Sequence, residues 1–313
     1  LIGGGASMSS GEACISVPRT MPLITNVSVD STSTTKGVIT VKWIRPEVTP
    51  NAPAEYRLFR AEGLTGTSFT QIAKINVNNS GNTADTLFVD KGLNTEDLAY
   101  NYQLELWTTQ NGVLTKQDVS ESASSVRLGQ GAAEPTMIKL DWTANVPWSN
   151  ASQTHRIFRE DKAKPGSFNR IAEVRVSGTN SFTYTDNGTD TYPTDGISNV
   201  TITKNESYCY KVETVGSYND TKVKPALLYN FSQIICVTTT DTTKPCPPVL
   251  VLDPLVCENL AADAFCDQTT FKNQLSWTYP SNQGDKDCDP SVSSYKIYYK
   301  RFEDEKPVLI KEI

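Results

Sequence analysis

A single histidine stands in the 313 residues, and none of the seven cysteines sits in a Cys-x-x-Cys pair. A zinc site would have to be all-cysteine at odd spacings, which argues against one. A Ser/His/Asp hydrolase would show a nucleophile elbow, and no Gly-x-Ser-x-Gly occurs. No Lys/Arg cluster appears and the formal net charge is −6. The basic face of a nucleic-acid binder is therefore missing, and an anionic membrane surface is disfavoured. No apolar run approaches the roughly 20 residues that span a bilayer, so no transmembrane segment is expected. Nor does any long apolar stripe recur at helical spacing.

What is there points to strands. Apolar residues make up 38% and charged residues 20%, with 13 Tyr, 10 Phe and 5 Trp. That is a folded composition. The weight of Thr, Ser, Val, Asn and Asp favours strands and turns. The chain opens at Leu1 without an initiator Met or a signal peptide, and reads as a mature or trimmed portion of a longer protein.

The strongest feature is self-similarity. Tyr56-Arg57-Leu58-Phe59-Arg60, His155-Arg156-Ile157-Phe158-Arg159 and Tyr295-Lys296-Ile297-Tyr298-Tyr299 follow one pattern. Each is preceded by a strand carrying a Trp (Trp43, Trp142, Trp277), and each is followed by another alternating run. Thr86–Asp90 matches Phe182–Asp186, and Tyr100–Leu106 matches Tyr208–Thr214. Tyr100 and Tyr208 begin the penultimate strands and suit a tyrosine corner. Trp43 and Trp142 are separated by about 100 residues, the size of one β-sandwich module. The next interval is longer, and the turn-rich Asn187–Asn205 is the natural place for an insertion. Repeats at this period imply an array of beads and not one large enzyme domain.

The expected layout is a preceding tail or linker over residues 1–20, then modules over 21–129 and 134–241, and a truncated third module over 245–313. The joint Gly129–Pro135 is short, and Asp241–Pro248 is Pro-rich and semi-rigid. Three closing strands of the third unit are missing, which would leave an open apolar face.

A Trp on the second strand and Tyr-x-(Ile/Leu)-(Phe/Tyr) on the third resemble fibronectin type III domains. The fold class expected is all-β: tandem fibronectin type III-like, immunoglobulin-like sandwiches. The order of local pieces is more specific. Pro22–Val29 leads into Gly37–Trp43. Then come Val146–Asn150, Tyr208-Cys209-Tyr210 before Gly216-Ser217-Tyr218, Cys246-Pro247-Pro248, Leu275–Pro280 and Tyr295–Lys300. This order resembles Bacteroidota gliding-motility-associated surface proteins, which are type IX-secreted and end in a sorting domain that this chain lacks. The resemblance implies a cell-surface protein acting in adhesion, motility or assembly. Its partners would be proteins, such as the type IX outer-membrane translocon or motility adhesins, at the outer-membrane surface.

Candidate sites are few. His155, in the register position of Tyr56, is expected to face solvent or a neighbouring strand. Seven cysteines in a strand-rich chain read as disulfides of an oxidising compartment. Cys209 and Cys236 fall on the last two strands of the second unit, within reach of each other. Cys257 is expected to pair with Cys266 or Cys288, and Cys14 and Cys246 with parts outside the chain. No catalytic residue and no cofactor is expected. Calcium is the ligand to weigh, at Asp285, Asp287 and Asp289, or in the loop Asp186–Asp190. Against these stands ordinary turn chemistry. A rival reading, accessory or carbohydrate-binding repeats of a secreted hydrolase, would need exposed aromatics, for which Trp107, Trp148 and Tyr192 are the candidates.

Overall fold

The computed structural model describes residues 18–48, 50, 53–77, 83–177, 180–192, 199–241, 244–252, 274–278, 288–289 and 292–313. The chain divides into two compact units, Leu1–Thr240 and Asp241–Ile313.

Unit 1 holds two sandwiches. In the first, β1 (Leu23–Ser31), β2 (Gly37–Ile44) and β5 (Leu87–Leu93) form one antiparallel sheet in the order β1-β2-β5. The facing sheet has β4 (Thr70–Asn76), β3 (Ala54–Glu62), β6 (Tyr100–Gln110) and β7 (Val113–Val119), with β8 (Ala123–Ser124) also on β6. The second sandwich repeats the plan. Its first sheet holds β9 (Arg127–Glu134), β10 (Met137–Thr143) and β13 (Ser181–Asp186) in the order β13-β10-β9. The other contains β12 (Phe168–Arg175), β11 (Thr154–Glu160), β14 (Ser207–Gly216) and β15 (Leu228–Phe231), with β16 (Ile235–Thr238) on β14. Three strands facing four, with consecutive strands exchanged between sheets, is the layout of a fibronectin type III-like sandwich. The fold is all-β and tandem.

Alternation builds each core. Along β2, Ile39, Val41 and Trp43 turn inward and Thr40 and Lys42 outward. Trp43 packs edge-on against Tyr56, with ring centroids 5.6 Å apart. In the second core Trp142 meets Phe182 at 5.9 Å. Tyr100 Oη accepts from Asn94 N at 3.1 Å, and Tyr208 Oη accepts from Thr203 N at 2.9 Å. Each of these hydroxyls fixes the chain entering its strand.

Both sandwiches break their last strand at a serine. Leu104 N donates to Ser120 Oγ at 3.0 Å, and Val212 N donates to Ser232 Oγ at 2.9 Å. A hydroxyl thus replaces one rung of the ladder, and the strand divides into β7 and β8, or β15 and β16.

Two sequence expectations change. Residues 129–135 are no mere joint: β9 pairs with β10 from Arg127↔Thr143 to Glu134↔Met137. Leu128, 1% exposed, belongs to the second core. Nor do the sandwiches stand apart as beads. β15 of the second lies against β1 of the first, and Trp148 and Leu228 enter the first core cluster.

Unit 2 contains β17 (Lys244–Pro245) parallel to β20 (Cys288–Asp289), β18 (Val249–Leu252) antiparallel to β19 (Leu275–Thr278), and β21 (Lys296–Tyr299) antiparallel to β22 (Val308–Glu312). The rings of Trp277 and Tyr295 meet at 5.5 Å, tilted by 58°. They line a cavity of 780 Å3 with Leu250, Leu252, Ile297 and Ile310.

Candidate interaction surface

The seam between the sandwiches is made by side chains reaching backbone. Val27 N donates to Asn230 Oδ1 at 2.7 Å, Asn26 Nδ2 to Tyr229 O at 2.7 Å, Phe231 N to Ser28 Oγ at 3.1 Å and Ile234 N to Thr32 Oγ1 at 2.8 Å. Within the second sandwich, Gln233 ties β9 to the break between β15 and β16 by accepting from Leu128 N at 3.0 Å and donating to Leu128 O at 2.6 Å. Two sheet edges that would otherwise lie open are thereby covered.

Trp148 plugs the joint. It is 5% exposed, and its ring meets Tyr218 edge-on at 6.0 Å. Tyr218 Oη donates to Ile24 O at 2.7 Å, and burial first, then Glu121, holds its hydroxyl above the ordinary range. Trp148 is therefore no exposed platform for a sugar, because the module that would have left it bare packs against a neighbour. Tyr192 is 38% exposed, but the Arg170 guanidinium lies 3.6 Å from its ring centroid. Arg57 covers Trp107 in the same way, also at 3.6 Å.

Of the two settings expected for His155, solvent or a neighbouring strand, it takes the second: it is fully buried, and its ring accepts from Trp142 Nε1 at 3.0 Å. Its Nε2 lies 3.2 Å from Val215 O, which assigns the proton to that nitrogen. Burial lowers its pKa to about 4, with the Val215 carbonyl opposing. It is a structural hydrogen-bonding residue.

A repeated polar triad escaped the sequence reading. Arg60 Nη1 donates to Asp90 at 2.8 Å, and Tyr102 Oη donates to the same carboxylate at 2.9 Å. In the second sandwich Arg159 Nη1 donates to Asp186 at 2.7 Å and Tyr210 Oη does so at 2.8 Å. Arg159 also holds Asp190 at 2.8 Å. Burial opposes the Arg159 charge, but Asp186 and Asp190 together raise its pKa. In both triads burial, then the aspartate, pushes the tyrosine hydroxyl far up. The loop weighed for calcium thus already has a cation, the guanidinium. Gly188 in that loop has φ +85°, and a Cβ there would lie 1.9 Å from Val200 O.

The remaining calcium candidates Asp285 and Asp287 lie outside the described residues, and Asp289 is placed by backbone only, in register with Pro245. Among the described residues no group of three or more His, Cys, Asp or Glu could hold a metal. Cys209 and Cys236 are bonded, on register partners of β14 and β16. Cys246, expected to pair outside the chain, is bonded instead to Cys288, which removes Cys288 as the partner of Cys257. The parallel pairing of β17 with β20 brings those Cα atoms to 4.7 Å. Cys14, Cys257 and Cys266 lie outside the described residues. Two disulfides mark an extracellular protein. Among the described residues no helix is long and apolar enough to cross a membrane.

No protein-family model matches the chain, and no curated protein matches it. Similar solved structures include a tetra-tandem repeat from the extending region of a large adhesion protein. It is 14% identical at TM-score 0.22, over 70% of this chain and 50% of that one. The chain therefore spans half the length of that structure. The FN1–FN3 domains of chicken CNTN1 are 11% identical at TM-score 0.23, over 94% of this chain and 86% of theirs. Overlaps this low carry no argument, and the fold rests on the strand pairing above.

What the surface of unit 1 offers is a groove along the seam. It encloses 950 Å3 and is lined by the outward face of β1, β2 and β5 on one side and by Lys224, Pro225, Leu227, Tyr229 and Phe231 on the other.

Proposed function

We propose that the chain is a non-catalytic module array of an exported cell-surface protein, whose work is spacing, display and protein contact. The observation that carries this is the repetition of the polar triad. Arg60, Asp90 and Tyr102 recur as Arg159, Asp186 and Tyr210 at equivalent places in both sandwiches. A catalytic constellation has no reason to appear once per module, whereas an architectural one does. The single histidine is likewise engaged inside a core.

The finer assignment is to the type IX-secreted, gliding-motility-associated surface proteins of Bacteroidota, acting in adhesion, motility or assembly at the outer membrane. It is supported by the order of sequence pieces from Pro22 to Lys300. On this reading the first module starts near residue 21 and closes with β8, the second runs from β9 to residue 241, a third starts from 245, and the partners are translocon or motility proteins.

An affinity pull-down of the full-length protein from native cell envelope, read by mass spectrometry, tests it. Stoichiometric recovery of translocon or motility proteins supports the assignment. Recovery of the bait alone would sink it and favour the accessory arm of a secreted hydrolase.

A further inference from the structure

The seam groove is built in rows. On the outward face of β1, β2 and β5, ladder register sets Asn26, Lys42 and Leu87 in one line and Ser28, Thr40 and Val89 in the next. β15 continues both lines, because Asn26 bonds to Tyr229 and Ser28 to Phe231. The first row thus runs from the Tyr229 ring through the Asn26 carboxamide and the Lys42 ammonium to Leu87, and the second from Phe231 through the Ser28 and Thr40 hydroxyls to Val89. Leu87, Leu227 and Tyr229 stay 41%, 39% and 37% exposed and converge on this groove.

The order of chemistry decides the class of occupant. A protein-binding hot spot has its apolar anchors at the centre and polar groups at the rim. Here the polar stripe is central and the apolar groups flank it. Added-strand binding needs a free ladder edge, yet β2 is paired on both sides and the second edge of β1 is held by the seam, which leaves only the outer edge of β5, beyond the polar stripe. The floor therefore offers side chains and not backbone. A polysaccharide has the matching anatomy, with C–H faces for aromatic and aliphatic flanks and oxygen groups for the stripe between.

Charge narrows the class. Lys42 and Lys224 both line the groove and make no ion pair among the described residues. The one carboxylate in the lining, Asp30, accepts the Thr40 hydroxyl. The groove is thus cationic on a chain whose net charge is −6. The Arg156 guanidinium lies 5.2 Å from the Tyr229 ring centroid, outside the 3.6 Å contact that covers Tyr192 and Trp107. We propose that the groove binds an acidic polysaccharide, with sugar carboxylates at Lys42 and Lys224 and a ring face against Tyr229. This rests on the reading of the chain as a surface module.

The test is affinity electrophoresis and calorimetric titration of the full chain with polygalacturonate and alginate as anionic probes and dextran as the neutral one. Retention by the anionic polymers, and not by dextran, is expected, and it should fade toward 1 M salt, where charges are screened within about 3 Å. K42A/K224A should weaken it at least about tenfold, the worth of one charge-assisted hydrogen bond. Y229A should weaken it severalfold. K74A, on the outward side of β4 in the opposite sheet, should leave it unchanged. All of these substitutions are at exposed positions, and circular dichroism melts check that the variants fold. Binding to neither anionic polymer, or equal binding by K42A/K224A and K74A, overturns the proposal. Capture of an envelope protein that K42A/K224A abolishes, with both polymers passing unretained, also overturns it. That result would leave the surface-module reading standing.

Discussion

The backbone amide of Val27 donates to Asn230 Oδ1 at 2.7 Å across 203 positions of sequence, joining two sandwiches. Val27 is fully buried and Asn230 is 1% exposed, so water cannot replace the bond. N230A should leave the Val27 amide unsatisfied and cost about 1–3 kcal/mol. Calorimetry of the full chain should show the two sandwiches of unit 1 melting as one transition. In N230A that transition should fall by roughly 2–4 °C per kcal/mol, or split in two. An unchanged melt would mean that the seam adds nothing to stability.

The two triads differ in burial, and that sets their worth. The side chains of Arg159 and Asp186 are 4% and 0% exposed, whereas those of Arg60 and Asp90 are 29% and 8% exposed. Removing Asp186 leaves the buried Arg159 with Asp190 alone and strands the Tyr210 hydroxyl and the Gly188 amide, at a cost of about 1–3 kcal/mol for each group left unsatisfied. D186A should therefore shift the urea midpoint well below wild type, and D90A should shift it less, because Arg60 can turn to water. Equal shifts would refute the burial argument.

The repeat made much of this legible. Matching Thr86–Asp90 to Phe182–Asp186 aligned the two aspartates before any contact was known, and the Trp and Tyr positions gave the strand order. The triad stayed hidden because alternation was read as apolar inward and polar outward. Counted by period alone, His155, Ile157 and Arg159 share one face, and that face is inward, with Phe158 turned out. The seam was illegible for a different reason. Asn26, Ser28, Thr32 and Asn230 look like ordinary surface residues of a Ser/Thr/Asn-rich chain, and only docking gives them backbone partners. Trp148, in a loop beside Pro147, gave no sign of which neighbour it would pack against.

Burial holds His155 neutral with a pKa of about 4, against about 6.5 in an unfolded chain. The unfolded chain therefore binds the extra proton first as pH falls. The stability is full above about pH 6.5 and is lost progressively down to pH 4, by about 3 kcal/mol in all. Urea midpoints at pH 7.5 and pH 4.5 measure the loss. H155Y places the residue of the equivalent position, Tyr56, in the second core. It should remove this component of the pH dependence, and a variant with the wild-type slope would show that other groups cause it.

The bond between Cys209 and Cys236 closes a loop of separation 27 between paired strands. A loop of that size restricts the unfolded chain by about 3–4 kcal/mol. C209A/C236A should unfold at correspondingly lower urea, and dithiothreitol should bring wild type down to the same midpoint. Peptide mapping without reductant should recover the Cys246–Cys288 link from unit 2. A Cys257–Cys288 link in its place would overturn that pairing.

Gly216 ends β14 directly beneath the joint. A Cβ there would lie 2.1 Å from Trp148 Cδ1 and 2.5 Å from Nε1, so the indole would have to leave its place between the sandwiches. G216A should cost about 1–3 kcal/mol by overpacking. W148A, which opens a cavity in its place, should cost about 3–5 kcal/mol. If the indole is the plug, the double variant costs less than the two single losses added together, because the methyl then has nothing to displace. Simple additivity in urea unfolding would place the Gly216 effect on the backbone of β14 and detach Trp148 from the seam.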